Sequence, residues 1–275
     1  MAEQLDKPGL ERYYVSTEYL LPADKAETVR LNEQHSMIIK AFENRLFLAP
    51  VNFNNGDKVL ESAAGSGIWA LAFAAENMVN SVELDIECID ISPKQFPTSY
   101  PSHIHFSVHS VVKLPLEWTN TFSYIHQRFI GFAMNDLLWN SAINELFRVT
   151  QSGGWIELFE IETKSLSYCD VGPSSNVLCS LWEAVTAQKG IIGNVSAYLC
   201  PLLEKTGFVH VHCETRDIPI GGRRGFEGGN GYSGELWGEG WMAMKAPLIK
   251  KENSDAARVS EEYNALVQGA KPLTT

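Results

Sequence analysis

Residues Lys58 to Ala72, KVLESAAGSGIWALA, constrain this chain more than any other stretch. Val59 and Leu60 form the short apolar run that a buried parallel strand needs, and Glu61 ends it. Gly65 and Gly67 then open a helix carrying Ile68, Leu71, Ala72 and Ala75. A strand, a glycine turn and a helix in that order predict an α/β unit whose turn cradles a nucleotide. Glycine admits a ligand to the backbone where a Cβ would intervene, and the helix N-terminus offers free N–H groups and a partial positive charge. The same turn also serves close packing of strand on helix, so the motif alone leaves both readings open.

A second landmark separates them. Ile86 to Ile91 is an apolar strand ending in Asp90, where a Rossmann-like fold places a carboxylate to accept hydrogen bonds from both ribose hydroxyls of a nucleoside. Asp90-Ile91-Ser92-Pro93 also reads as a helix-capping turn. A dinucleotide would want G-x-G-x-x-G, and ESAAGSG has no third glycine at that spacing. Glu61 at the strand end would repel a pyrophosphate but suits an amino group. S-adenosylmethionine (SAM), with its ammonium and sulfonium, is the nucleoside these residues predict.

The whole chain sets bounds. Its 275 residues, 45% hydrophobic and 20% charged, are enough for one catalytic core with an added lid. A net charge of −11 argues against a nucleic-acid partner, because phosphate neutralisation needs clustered Lys and Arg. Cys88, Cys169, Cys179, Cys200 and Cys213 are scattered with no C-x-x-C pair, which predicts reduced thiols and neither a disulfide framework nor a zinc site. Met1–Leu21 lacks a basic-then-apolar signal and no run reaches membrane-spanning length. The expectation is a cytoplasmic protein, with nuclear entry open and no membrane partner.

Taken in order, residues 1–48 predict an N-terminal helical lid and 49–275 the core, with acceptor-side insertions around 165–205 and 219–270. Asp24 with Glu27 resembles a helix N-cap and its box partner, and the helix would run to about Phe47. Ile38, Ile39, Ala41, Phe42, Leu46 and Leu48 would face inward, with Arg30, Asn32, Gln34 and His35 near another face. That polar face is either a solvated cover or a lid working through Tyr19, Arg30 and His35. Ile104–Val108 and Thr121–His126 read as the third and fourth strands, the latter carrying His126, Gln127 and Arg128 at its carboxyl end. Asp136–Thr150 reads as a helix, Gln151–Gly154 as a turn and Trp155–Glu160 as the fifth strand. Helices follow at Ser174–Lys189 and Val195–Thr206, then a sixth strand at Phe208–His212. A glycine-dense run covers Pro219–Gly234; Trp237, Trp241, Met244 and Leu248 recur at helical spacing as core or as an acceptor wall, and Ser254–Gly269 closes as an amphipathic helix.

With these pieces assembled the chain resembles the fungal class I SAM-dependent methyltransferases of the LaeA-like secondary-metabolism group. The resemblance rests on YLLPADKAETVRLNEQH (Tyr19–His35), ESAAGSGIW (Glu61–Trp69), IDISP (Ile89–Pro93), IHQR (Ile125–Arg128) and RVTQSGGWIEL (Arg148–Leu158). It covers roughly Tyr13 to Lys271. It implies an α/β, Rossmann-like seven-stranded sheet with helices on both faces, an N-terminal helical lid, and SAM across the middle. Glu61, Ala63, Gly65 and Gly67 would take the methionine part, Asp90 and Ile91 the ribose, and Ser110 and Val111 the adenine; Tyr19, Arg30, His35 and His126 would complete the pocket. Three features depart from the pattern: Ala63 replaces a glycine, Ser110 an adenine-side Asp, and after Lys271 only Pro272–Thr275 remain for an aromatic seventh strand. Either Leu236–Met244 takes that strand's place or the sheet is one strand short.

Methyl transfer from a sulfonium is an in-line displacement, so alignment and water exclusion are the enzyme's main tasks. His126 is the candidate base for a phenol or acid acceptor, or else a wall of the cofactor pocket, and Glu160 is the second catalytic candidate. No clustered acids suggest a metal. The leading expectation is O-methylation of a small aromatic or acidic metabolite. The alternatives are N-methylation of a small amine and a SAM-binding regulator acting in a protein complex.

Overall fold

The computed structural model describes residues 22–163 and 173–218, together with Gly240. Five parallel strands form one sheet in the order β3-β2-β1-β4-β5. They are β1 (Lys58–Ser62), β2 (Asp85–Asp90), β3 (Ile104–Val108), β4 (Phe122–Arg128) and β5 (Thr150–Phe159). The helices are α1 (Lys25–Ala41), α2 (Ile68–Val79), α3 (Asp136–Val149), α4 (Pro173–Lys189) and α5 (Val195–Thr206).

Period-two alternation builds two cores from the same strands. Val59, Ile86, Cys88, Ile104 and Tyr124 point to one face and pack with Trp69, Ala70 and Phe73 of α2. Leu60, Ile89, Phe122 and Ile125 point to the other and meet Trp139, Ile143 and Leu146 of α3 with Leu199 and Leu202 of α5. Strands buried on both faces read as continuous apolar runs, which is why β1, β2 and β4 were visible in the sequence.

Three elements differ from expectation. Helix α1 stops at Ala41, because Glu43 (φ 54°) and Asn44 (φ 61°) adopt left-handed backbone that a helix cannot continue through. Asp24 caps it, accepting from the Glu27 N–H at 3.0 Å. Gln151–Gly154 belongs to β5 instead of preceding it: the register jumps from Phe122↔Thr150 to Tyr124↔Trp155, and a bulge takes up the surplus. Gly154 is needed there, since a Cβ would lie 3.0 Å from the Phe122 carbonyl oxygen. Phe208–His212 is not a strand. Phe208 leaves α5 bonded to the Leu203 carbonyl and packs edge-on against Phe147 at 5.0 Å, and His210 turns left-handed at φ 57°. Tyr19, the glycine-dense run, the Trp237–Leu248 stretch, the last helix and the seventh strand lie outside the described residues.

Residues 46–48 tie α1 to the sheet: Leu46 and Phe47 pack with the α2-side core and Leu48 with the end of α1. Leu46 is buried with Trp69, whose Nε1–H donates to the Leu46 carbonyl at 2.8 Å. Glu157 of β5 accepts from the Leu48 and Ala49 N–H groups at 2.8 and 3.0 Å.

Candidate functional site

β1 hands the chain to α2 through a turn in which Ala63 (φ 58°), Gly65 (φ 55°) and Gly67 (φ 69°) are all left-handed. Expected as room for a ligand, the glycine positions are also filled by packing. A Cβ on Gly67 would lie 2.5 Å from Phe106 Cζ, and one on Gly65 would lie 3.2 Å from Leu31 Cδ1. Asp90, at the end of the neighbouring strand, accepts from the Gly65 N–H at 2.9 Å and the Ser92 N–H at 3.1 Å. Burial pushes its carboxyl up, and the Gly65, Ser92 and Ile91 N–H groups oppose that shift. Each carboxylate oxygen keeps a further lone pair for a hydroxyl donor. Ile91 is exposed. The His109 N–H bonds the Asp90 carbonyl at 3.1 Å, which brings the half-buried Ser110 beside Asp90, while Val111 packs into the α3-side core.

Glu61 is 3% exposed. Its Oε2 accepts from the Cys88 thiol at 3.7 Å, and the carboxyl also receives the Ala70 N–H in the first turn of α2. Burial pushes it up to about 8, opposed first by the Arg128 guanidinium. This is a buried acid without a cation in hydrogen-bond contact among the described residues, at the mouth of a helix N-terminus.

Arg128, the last residue of β4, is the electrostatic centre. Its Nη1 lies 3.1 Å from His35 Nδ1. Guanidinium only donates, so Nδ1 accepts and His35 is neutral, in keeping with burial and Arg128 pushing it down to about 4. His126 is not at the strand end: Gln127 and Arg128 follow it within β4. Its ring stacks on Trp69 at 3.8 Å and 7°, it is 2% exposed, and Nδ1 has no hydrogen-bond partner. Burial, Arg128 and His35 hold it well below the usual imidazole range. On the opposite face Gln127 accepts from the Ser62 hydroxyl at 2.8 Å. Glu160 bonds the Ile130 and Gly131 N–H groups at 3.0 Å each, and burial pushes it up to about 8. It holds the turn after β4.

α1 lies across the carboxyl ends of the strands. The face carrying Glu27, Arg30, Gln34 and His35 is buried, so it is not a solvated surface. Asn32 accepts from the Ser66 hydroxyl at 2.8 Å, Thr28 from Gln95 at 3.4 Å, and Arg30 pairs with Glu27 at 2.6 Å. A small pocket between Ile38, Phe42, Trp69, His126, Arg128 and Glu157 separates α1 from β4 and β5. The structure thus brings Glu61, Ala63, Gly65, Gly67, Asp90, Ser110, Arg30 and His35 to one edge, turns His126 inward and gives Glu160 to a backbone turn. Sequence reasoning named Arg128 only as one of three residues at the end of β4, and its place as the one Arg or Lys of an otherwise buried strand was the available signal.

This architecture is that of the class I methyltransferases. A putative methyltransferase from an antibiotic biosynthesis pathway of Anabaena variabilis matches with a TM-score of 0.53 and 14% identity, over 88% of this chain and 85% of that one. No family model matches the sequence. Methyltransferase grgD of a Penicillium species is 29% identical over 56% of this chain and 56% of its own. N-methyltransferase sirN of Leptosphaeria maculans is 34% identical over 52% and 49%. Secondary metabolism regulator LAE1 of Hypocrea atroviridis is 26% identical over 52% and 40%. The matched region spans about half the length of these curated relatives. The chain has the class I methyltransferase fold and is similar to fungal methyltransferases of secondary metabolism, the LaeA-like group among them. Among the described residues no helix is long and apolar enough to cross a membrane, and no three His, Cys, Asp or Glu side chains cluster as a metal site.

Proposed function

We propose that the protein transfers a methyl group from SAM to a nitrogen of a small-molecule acceptor. The observation that carries this reading is the β1–α2 edge, where a buried Glu61 without a hydrogen-bonded cation among the described residues and the turn-holding Asp90 flank one left-handed loop. The residues fit the cofactor: Glu61 suits an ammonium, Asp90 retains lone pairs for a ribose diol, and Ser110 stands beside it. When bound, SAM supplies an electrophilic methyl on a sulfonium. α1 excludes water from that edge through Leu31, Asn32 and His35, and Arg128 sets the field beneath it. Passage of the cofactor to the loop requires the Asn32–Ser66 and His35–Arg128 contacts to open.

Nitrogen is favoured over oxygen on two grounds. Relatives with a named specificity are N-methyltransferases, sirN among them, and O-methylation draws no support from these relatives. In addition, His126 and Glu160, the bases a phenol would need, are buried and committed to packing and to a backbone turn. A neutral amine nitrogen attacks through its own lone pair and sheds the surplus proton to solvent. Incubation with SAM and matched amine, amide, phenol and acid panels, scored by S-adenosylhomocysteine (SAH) release, should give turnover with nitrogen acceptors. Turnover with phenols alone would reverse the choice of atom. SAM binding without turnover on any panel would favour the regulatory role that the LAE1 relative suggests.

A further inference from the structure

Glu61 and Arg128 stand on neighbouring strands with opposite charge. The register pairs Glu61 of β1 with His126 of β4, and Arg128 lies two residues further on, so both side chains leave the same face of the sheet. One strand spacing and two residues of rise set their Cα atoms about 8 Å apart. Glu61 is buried with the Cys88 thiol as its side-chain partner, whereas Arg128 is half-buried and steadied by α1, its Nη1 3.1 Å from His35 Nδ1. Two other arginines of this side have their own tasks: Arg30 pairs with Glu27 at 2.6 Å, and Arg45 donates to the Leu48 carbonyl at 3.4 Å. A guanidinium carries five N–H donors in a planar fork, so serving His35 and a carboxylate together is within its capacity. Arg128 also lines the small pocket beneath α1 with His126, whose buried Nδ1 has no hydrogen-bond partner. Ligand oxygens there would accept from the guanidinium and, in its Nδ1–H tautomer, from the imidazole.

We propose that Arg128 is a specificity-determining residue that holds the methionyl carboxylate of SAM while Glu61 holds the ammonium on the same carbon. This rests on the SAM reading above and adds which part of the cofactor the end of β4 recognises. In an α-amino acid head the two charged groups share one carbon, so a carboxylate and a guanidinium at this spacing match it as a pair. A ligand with only one of those charges leaves half of the pair unserved. Docking the head gives the buried Glu61 a cation and the half-buried Arg128 an anion in hydrogen-bond contact, where low dielectric makes such pairing count most. The field between the two side chains already acts: after burial, Arg128 is the largest influence on the Glu61 carboxyl, and it favours the ionised form that an ammonium needs.

Calorimetric titration of the full chain with SAM and with decarboxylated SAM, which keeps the adenosine, sulfonium and ammonium, reads the carboxylate directly. The parent should bind SAM roughly ten- to a hundredfold more tightly than decarboxylated SAM, the worth of charge-assisted hydrogen bonds to one carboxylate. Arg128→Gln should lose that factor for SAM and leave the affinity for decarboxylated SAM undiminished. Arg128→Lys, which retains the charge without the fork, should keep part of the factor. Equal losses for both ligands in an Arg128→Gln protein that melts cooperatively would make Arg128 a support of α1 and overturn the assignment. A parent that binds the two ligands alike would overturn it as well, whether or not the variant folds. A parent that binds neither would overturn the SAM reading itself and this placement with it.

Discussion

Ala63 shows how one atom separates a tolerated loop from a relaxed one. It holds φ 58° where the family pattern has glycine, and left-handed backbone costs an L-residue roughly 1–2 kcal/mol. Ala63→Gly should stabilise the protein by ~0.5–1 kcal/mol, less than the strain because glycine also loosens the unfolded chain. A melting point raised by roughly 2–4 °C would register it, and a lowered one would mean the Cβ packs usefully. The buried ionisable groups set a pH profile. Glu61 and Glu160 are raised from 4.5 to about 8, so the folded state holds their protons while the unfolded chain releases them, and stability falls as pH rises through that window. His35 is lowered from 6.5 to about 4 and His126 is also lowered, so stability falls as pH drops below 6.5. The two slopes oppose each other between 4.5 and 6.5, and from about 6.5 to about 8 the decline set by the raised acids stands alone. Urea melts across that range should show it, and Glu61→Gln should flatten the alkaline limb. An unchanged limb in the variant would move the titration elsewhere.

At the scale of elements, what was legible is what a local pattern determines. Val59-Leu60 before two glycines announces its strand because burial on both faces leaves only apolar residues there, and Ile86–Asp90 does so through the buried Ile86, Cys88 and Ile89 around a half-buried Glu87. The start of β5 was hidden because Gly153-Gly154 writes a bulge and a turn with the same letters, and only the register with Phe122 tells them apart. The direction of His126 was hidden because strand-end position depends on where pairing with β1 and β5 stops, at Gln127↔Ser62 and Arg128↔Phe159, a property of the neighbours. The part residues 46–48 play was hidden for a similar reason. Leu46 to Leu48 look like the tail of a lid but supply the Trp69 indole its acceptor, edge-on contact of Phe47 with Phe73 at 5.5 Å, and the Leu48 N–H donor for Glu157. Truncation through Ala41 should therefore keep a cooperative melt. Truncation through Leu48 should lose about 3–5 kcal/mol more from Phe47 alone, and some 10 °C further in melting point. Equal melts for the two truncations would return these residues to the lid.

For the whole molecule the sheet order matters most. β1 sits at the centre, with β2 and β3 wound to one side and β4 and β5 to the other, so the loops leaving β1 and β4 diverge and open a crevice at the carboxyl edge. Glu61, Asp90 and Arg128 all end strands beside that crevice, and α1 spans it. A ligand seated there would tie together both halves of the sheet and α1. It should act on global stability by mass action: about 2.7 kcal/mol at a hundredfold excess over Kd, or roughly 5–10 °C. SAH should produce that shift and NAD should not, because Glu61 would face the dinucleotide's pyrophosphate. Asp90 must be tested without collapsing the turn it holds, since its carboxylate bonds the Gly65 and Ser92 N–H groups. Asp90→Asn keeps a carbonyl acceptor for Gly65 but surrenders the charge and one acceptor oxygen. It should melt near the parent temperature without ligand and lose most of the SAH shift. An Asp90→Asn protein that melts normally and still gains the full shift would show that the carboxylate serves the loop alone, and the ribose would have to be held by the Ser110 side of the crevice.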